Sequence, residues 1–406
     1  MLNNKLQERL KMRELTKQDV SQFNDLLRYA FQVTRRELMD VGWEEDEIRR
    51  SKYPVLEKAT VFGWFDDKKL ASQIAIYPMK VNIHGEIFDM GGVTGVATYP
   101  EYANFGLMHA LMKKALEEMK EEGQTISFLY PYSIPYYRKK GWEIISDKME
   151  FTIKDTQLPK FVDVPGMVDR VELESKDIKL IHDKFAEIRH GVLIRRSLEW
   201  EEYFRWEVED LTAAVYYNDK HEPIGYLYYW IENEILHIKE IVYLNQEARH
   251  GLWNYISAHF SMINEVRGAN YTNEPLAFLL EDSEITEKIA PYFMARIVDL
   301  EKFLERYPFV NTLSTNKITF NVTDPMLDWN NGIFSVAWDD EGNNIISREE
   351  ISEPIDISIQ TLVTMLMGYK RPKYLNRVEK INVSKNTIKL LERVIPLEQA
   401  YFSDYF

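Results

Sequence analysis

The segment GVATYPEYANFGLMHALM, residues 95–112, has a second version downstream in EIVYLNQEARHGLWNYIS, residues 240–257. In each, a β-branched strand runs into a Glu-containing turn, and Gly-Leu opens an amphipathic helix. The near-repetition reads as an internal duplication of one domain, the alternative being two unrelated strand-turn-helix units. Length agrees: 406 residues, 45% of them hydrophobic, exceed one ordinary domain and suit two or three.

The first block runs over residues 1–155. MREL is a short strand, and Thr16 is a candidate N-cap for TKQDVSQFNDLLRYAF, whose apolar residues recur at helical spacing. RRELMDVGWEEDEIRRSKYP reads as a helical excursion. Three strands follow, ATVFGWF, KLASQIAIYPMKVNIHG and EIFDMGGVTGVATYP, with DDKK and IHGE as hairpin turns. FGLMHALMKKALEEMKEEG is an amphipathic helix ended by Gly123, TISFLYP is a short buried strand, and PYYRKKGWEII returns to a strand. The order β-α-β-β-β-α-β-α-β is not a Rossmann unit, whose strands alternate strictly with helices.

The second block, 156–290, repeats the order more weakly: helix ESKDIKLIHDKFAEIR, strands TAAVYYN, IGYLYYWIEN and EILHIKEIVYLN, then helix EARHGLWNYISAHFSMI. The third, 291–406, has strands RIVDL, KITFNVTD and FSVAWDD, a helix DISIQTLVTMLMGY ended by Gly368, and NTIKLLERVI. It reads as an α+β domain with an antiparallel sheet.

Charge narrows the partners. Fifty basic against 65 acidic residues give a net charge of −15, and the pI is near 5.2. With no long Lys/Arg run, such a chain repels nucleic acid and anionic membranes, so neither is expected as a partner. The balance is compatible with amine substrates, although solubility alone accounts for it. The absence of Cys excludes disulfides, thiolate nucleophiles and Cys-ligated zinc, and no metal site is expected. MLNNKLQERLKMREL lacks an apolar core for a signal peptide, and no apolar run approaches the roughly 20 residues of a membrane span. A cytoplasmic location is expected.

Two motifs carry chemistry. PEYANFGLMHAL, residues 100–111, joins a strand to a helix, and a helix start can bind pyrophosphate through backbone N–H groups alone. Three glycines precede it, Gly91, Gly92 and Gly95, and glycine inside a strand marks a bulge or a close ligand approach. The second motif, SIPYYRKKGWEII at 133–145, sets an aromatic pair before a basic turn and Gly141. It reads either as core packing around a turn or as a Tyr hydroxyl aimed at a reaction centre.

At this separation the two motifs resemble motifs A and B of the GNAT acetyltransferases. The three-block layout, ending in DYF, resembles the Eis (enhanced intracellular survival) family across essentially the whole chain. That resemblance implies a mixed α+β fold. A catalytic GNAT domain (1–155) precedes a degenerate GNAT-like one (156–290) and a sterol-carrier-protein-like domain (291–406). It implies acetyl-CoA as co-substrate, an amine acceptor such as an aminoglycoside, polyamine or lysine side chain, and a homo-hexamer. Residue by residue, it implies that Val96, Ala97 and Thr98 line the pantetheine arm. Asn104, Phe105, Gly106, Leu107 and Met108 give backbone N–H groups to the pyrophosphate, and Ser133 lies beside the cofactor arm. Tyr137 matches the general acid, and the α-carboxylate of Phe406 the general base.

One departure stands out: the family's Arg or Gln at the first loop position is Ala103 here. Losing a charge-assisted phosphate contact costs about 1.5–3 kcal/mol, roughly 10- to 150-fold in affinity. Arg138, Lys139 and Lys140 are candidates to compensate. In the second block EARHGL with Arg249 fits the loop loosely but has no Tyr motif, and reads as a relic. Asp25, Glu101 and Asp404 are candidate holders of a cationic substrate, though solvated surface charge is the plainer expectation. A non-catalytic ligand- or lipid-binding protein is the rival reading. In it Phe334, Trp329 and Met365 line an apolar tunnel, although apolar residues at helical spacing are usually core.

Overall fold

The computed structural model describes residues 9–33, 53–205, 210–271 and 275–406. The expected helical excursion at 35–54 falls almost wholly outside them.

The first unit is a seven-stranded mixed sheet in the order β1-β2-β3-β4-β5-β14-β6. Its strands are β1 (Leu10–Glu14), β2 (Thr60–Asp66), β3 (Lys69–Ile83), β4 (Glu86–Thr98), β5 (Ile126–Leu129), β6 (Glu143–Ile144) and β14 (Met294–Ile297). Asp67, His84 and Gly85 have positive φ in the two hairpin turns, as DDKK and IHGE lead one to expect. Helices α1 (Val20–Ala30), α2 (Tyr53–Lys58), α3 (Leu107–Glu121) and α4 (Ile134–Arg138) flank the sheet. The apolar residues of α3 recur every three or four positions. Leu111, Met112, Ala115, Leu116 and Met119 therefore form one buried stripe, packed on Phe62, Ile74 and Val93 of the sheet. Glu122 caps α3, and Gly123 follows at φ +75°, as expected of a helix-ending glycine.

The second unit repeats the plan in the order β13-β7-β12-β11-β10-β9-β8. Its strands are β7 (Asp147–Lys154), β8 (Met167–Val171), β9 (Thr212–Tyr217), β10 (Pro223–Glu232), β11 (Ile235–Tyr243), β12 (Glu265–Asn270) and β13 (Thr286–Pro291). Helices α5 (Lys176–Ile188), α6 (Ser197–Phe204) and α7 (Gln246–Ser257) cover it. Gly251 does not open α7. Asn245 caps that helix by accepting from the Ala248 N–H, and Gly251 sits inside it, where a Cβ would run into the Tyr216 ring.

Sheet membership crosses the order of the blocks. β7, from the end of the first block, pairs in the second sheet, while β14 pairs in the first, between β5 and β6. The segment RIVDL, read as the first strand of the third block, thus overlaps the closing strand of the first sheet. All four residues of β14 are buried, so it must have neighbours on both edges and both faces.

The third unit has a four-stranded sheet, β17-β16-β15-β18, made of β15 (Lys317–Thr323), β16 (Gly332–Trp338), β17 (Asn344–Ser347) and β18 (Pro354–Ser358). β15 and β18 are parallel, so the sheet is mixed rather than antiparallel as expected. Helices α8 (Leu300–Arg306), α9 (Ile359–Leu366), α10 (Pro372–Arg377) and α11 (Lys385–Val394) complete the unit. The Asp-Ile-Ser that the sequence pattern gave to α9 instead ends β18, and Ser358 caps α9. Phe334 and Met365 are fully buried core, and Trp329, partly buried against the core of the first unit, donates its indole N–H to the Val298 carbonyl at 2.9 Å.

Two buried guanidinium groups join the units. Arg296 of β14 donates to both carboxylate oxygens of Asp324 (2.6 and 2.7 Å) and to the Lys140 carbonyl. Arg195 of the second unit binds Glu240 of β11 through both terminal nitrogens (2.8 and 2.9 Å) and Asp404 through Nε (2.7 Å). Asp404 is therefore not the solvated surface charge expected. Burial pushes its carboxyl up to about 6, and the facing Arg195 keeps it from rising further. Substituting Asp324 with Ala strands Arg296 in the core. The expected cost is about 3–5 kcal/mol, measured as a lower urea midpoint, and pairing it with Arg296→Met should recover much of that.

Candidate functional site

β4 and β5 run parallel and pair only between Met90–Gly92 and Ile126–Phe128. Beyond Gly92, β4 continues to Thr98 and leaves β5 behind. Gly95 has φ +62°, and the β3 register slips between Gln73 and Ala75 opposite it. This bulge turns the end of β4 away from β5. A cavity of about 600 Å³ fills the gap, lined by residues 93–98 of β4, Met108, Ser133, Tyr136, Tyr137 and the end of the chain. An extended ligand laid there meets an unpaired strand edge, the geometry of β-strand addition.

At the mouth, a single 3₁₀ turn (Pro100–Tyr102) leads into α3. Asn104 and Gly106 both have positive φ, and no side chain caps the helix. A Cβ on Gly106 would meet nothing within 4 Å, so the space over the helix start is open. The first N–H groups of α3 and their partial positive charge are thus arranged to accept an anion. Ala103 offers no charge there. Of the basic residues expected to compensate, Arg138 is committed to Glu143 (2.7–2.9 Å). Lys140 instead reaches the first turn of α3, with Nζ 2.6 Å from Nδ1 of His109. Burial, then the charges of Lys140 and Lys113, lowers the His109 pKa, which leaves it a neutral acceptor for that ammonium. Glu101 pairs with Lys69 at 2.7 Å, and Asp25 is exposed on α1.

Tyr137 lies on α4, which starts after Ser133 with Pro135 in its first turn and ends in the basic turn closed by Gly141 (φ +95°). Its ring packs edge-on to Tyr136 and Trp142. Burial, followed by the neighbouring Tyr136, pushes the Tyr137 hydroxyl pKa well up, so it holds its proton at neutral pH. The Phe406 ring is held edge-on by Tyr77 (6.3 Å) and Phe293 (5.3 Å). A Cβ on Gly92 would stand 2.9 Å from that ring, so this glycine makes the seat for the last residue.

Of the expected site residues, the cavity brings together Val96, Ala97, Thr98, Met108, Ser133, Tyr137 and Phe406. Asn104, Phe105 and Gly106 form the adjoining loop rather than the lining, and Leu107, which begins α3, is buried with Leu10, Ala71 and Tyr102. Sequence reasoning missed Phe31, Tyr130, Tyr132 and Tyr405, exposed aromatics on the cavity rim. The signal for Tyr130 and Tyr132 was the density of Tyr in TISFLYPYSIPYY, whereas Phe31 and Tyr405 lie outside it. In the second unit a cavity of about 350 Å³ includes Asn245, Gln246 and Arg249 at the start of α7.

A strand that parts from its parallel neighbour ahead of a helix is present in two copies, and in the first the helix start is glycine-led and uncapped; this arrangement defines a tandem acetyltransferase of the GNAT class. Acetyltransferase (GNAT) domain models match residues 11–145 and 191–297, and a sterol carrier protein domain model matches 300–403. The chain is a GNAT acetyltransferase with two GNAT domains and a sterol carrier protein domain. It is similar to a conserved protein of Enterococcus faecalis described as a probable N-acyltransferase, at 27% identity, 98% and 99% coverage of the two chains, and TM-score 0.90. A GCN5-related N-acetyltransferase of Anabaena variabilis shares the fold at 23% identity, 98% and 100% coverage, and TM-score 0.85. Eis1 of Mycobacterium abscessus shares it at 16% identity, 98% and 100% coverage, and TM-score 0.80. No curated protein sequence matches the chain.

The raised Tyr137 pKa has an optical consequence. Absorbance titration of the native enzyme and of Tyr137→Phe should coincide up to about pH 10, the ordinary tyrosine value. A tyrosinate signal lost in the variant below that pH would contradict the burial of the hydroxyl.

Proposed function

We propose that the chain moves the acetyl group of acetyl-CoA to a primary amine of a cationic acceptor by direct attack. The observation that carries the reading is that Tyr137 and Phe406 line one cavity at the gap between β4 and β5. Acetyl-CoA supplies the thioester acetyl group and a thiolate leaving group. The pantetheine arm runs along Val96, Ala97 and Thr98 beside Ser133, and the pyrophosphate takes the N–H groups from Asn104 to Met108. Lys140 supplies the cation that Ala103 leaves out.

The acceptor arrives as an ammonium, since alkylamine pKa values lie near 10. The Phe406 carboxylate orients it and removes its proton. Phe31, Tyr130, Tyr132, Tyr136 and Tyr405 offer ring faces to the same cation. The freed amine forms the new C–N bond as the C–S bond breaks, and Tyr137 gives its proton to the departing sulfur. Burial keeps the Tyr137 hydroxyl protonated at neutral pH, so the proton is in place when the thiolate departs. Two bound substrates in fixed geometry supply much of the rate.

Calorimetric titration with acetyl-CoA tests the cofactor half. Micromolar binding is expected, and Lys140→Ala should weaken it about tenfold or more. For the chemistry, thiol release is followed with kanamycin, spermidine and a lysine peptide as amines. Tyr137→Phe should lower kcat by roughly 10²- to 10⁴-fold with acetyl-CoA affinity unchanged. One glycine added after Phe406 should do the same, and an intact kcat in that extended enzyme would remove the carboxylate from the mechanism.

A further inference from the structure

The stretch that carries Phe406 into the cavity has no helix or strand to hold it. Residues 396–406 have no regular secondary structure, yet Phe402, Asp404 and Phe406 are buried while Tyr405 is exposed. An unpaired chain end ordinarily frays. This one is fastened to the second unit. The Tyr401 N–H donates to the His190 carbonyl at 2.8 Å. The Ser403 hydroxyl donates to Glu240 Oε1 at 2.9 Å, and Asp404 Oδ1 accepts from Arg195 Nε at 2.7 Å. Tyr292 adds a hydroxyl donated to the Asp404 carbonyl at 2.7 Å.

Arg195 is built for one position. Its side chain is fully buried, and both its terminal nitrogens are used by Glu240, which also accepts from the Tyr226 hydroxyl at 2.8 Å. Its guanidinium lies 4.1 Å from the ring centre of Tyr203 and 4.8 Å from that of Trp200. A rigid fork gripped on two edges leaves Nε aimed at a single place, and Asp404 occupies it. Replacing buried charges with apolar groups is often neutral or stabilising, so stability alone is a weak reason to keep them; fixing register is the better-attested one.

We propose that Arg195 and Glu240 of the second unit are positioning residues for the acetyl-transfer cavity of the first. With Asp404 as the hook, they set how far Tyr405 and Phe406 enter it. The degenerate unit would then contribute to catalysis without touching substrate. This rests on the reading of the Phe406 carboxylate as the base.

The test uses the full chain with two mild variants. Asp404→Asn keeps the Arg195–Glu240 pair, and Tyr292→Phe removes only a hydroxyl. Carboxypeptidase A release of Phe406 reads how firmly the end is seated. Both variants should release it about tenfold faster or more, the weight of one hydrogen bond, with melting temperature and acetyl-CoA affinity kept. Equal release from wild type and both variants overturns the proposal. With spermidine as acceptor, kcat should fall in both variants while the KM for acetyl-CoA holds. In the enzyme extended by one glycine, the same substitutions should have no further effect, whereas a merely structural role would add to the loss. Should the extended enzyme keep full turnover, the carboxylate reading fails, and release rates alone decide the seating. If the extension abolishes turnover but the variants keep wild-type kcat, the positioning proposal fails and the carboxylate reading stands.

Discussion

Arg296 carries a full charge into the middle of the molecule, and two distant parts of the chain converge on it. Asp324 neutralises it from the third unit, the Lys140 carbonyl accepts from it in the turn after Tyr137, and Trp142 lies against it at 5.3 Å. An isolated buried charge is among the most costly things a fold can contain, so these partners are obligatory. Gly141 is bound into the same arrangement, because any Cβ there would collide with the guanidinium. The strand that bears Arg296 follows the whole second unit, so the sheet that forms the cavity closes only when all three units are in place. The turn of the Tyr motif and the core of the sterol-carrier-like unit are therefore one packing problem.

Within that frame small residues shape the cavity, each for a different reason. Gly95 supplies the bulge that parts β4 from β5. Gly92 gives room to the Phe406 ring, and Gly91 to Met119 of α3 and Gln124. Only the first is about opening space for a ligand. The other two accommodate the protein's own side chains, which a reading of glycines as marks of ligand approach does not distinguish. The result is a cleft with strand edge and helix start on one side, buried phenol and chain end on the other, and a rim of exposed aromatic rings.

Much of this was legible. The hairpin turns, the α3 stripe, its terminal glycine and the duplicated strand-turn-helix all follow from local periodicity and turn chemistry, which depend on neighbours a few residues apart. The Tyr motif and the loop before α3 could be read at fixed spacing for the same reason. The rest involved partners far away in sequence. β14 looked like the opening strand of the third block because its pattern is that of any short buried strand, and nothing local says which sheet it joins. β15 and β18 pair in parallel because the connection between them crosses over, which alternation along each strand does not reveal. Asp404, in a polar-aromatic tail, looked solvated because Arg195 stands about 200 residues upstream.

The sequence by itself determined the elements, the duplication and the residue types that acetyl transfer needs, because helix stripe, bulge glycine, turn and Tyr spacing act over one or two turns of chain. Tertiary structure alone decided that a strand from beyond the second unit completes the first sheet, that Lys140 reaches the uncapped helix start, and that Phe406 comes to rest against Gly92. Those outcomes depend on burying two guanidinium groups and an otherwise unpaired chain end, and burial is settled by whatever surfaces meet in the folded molecule, not by the residues on either side.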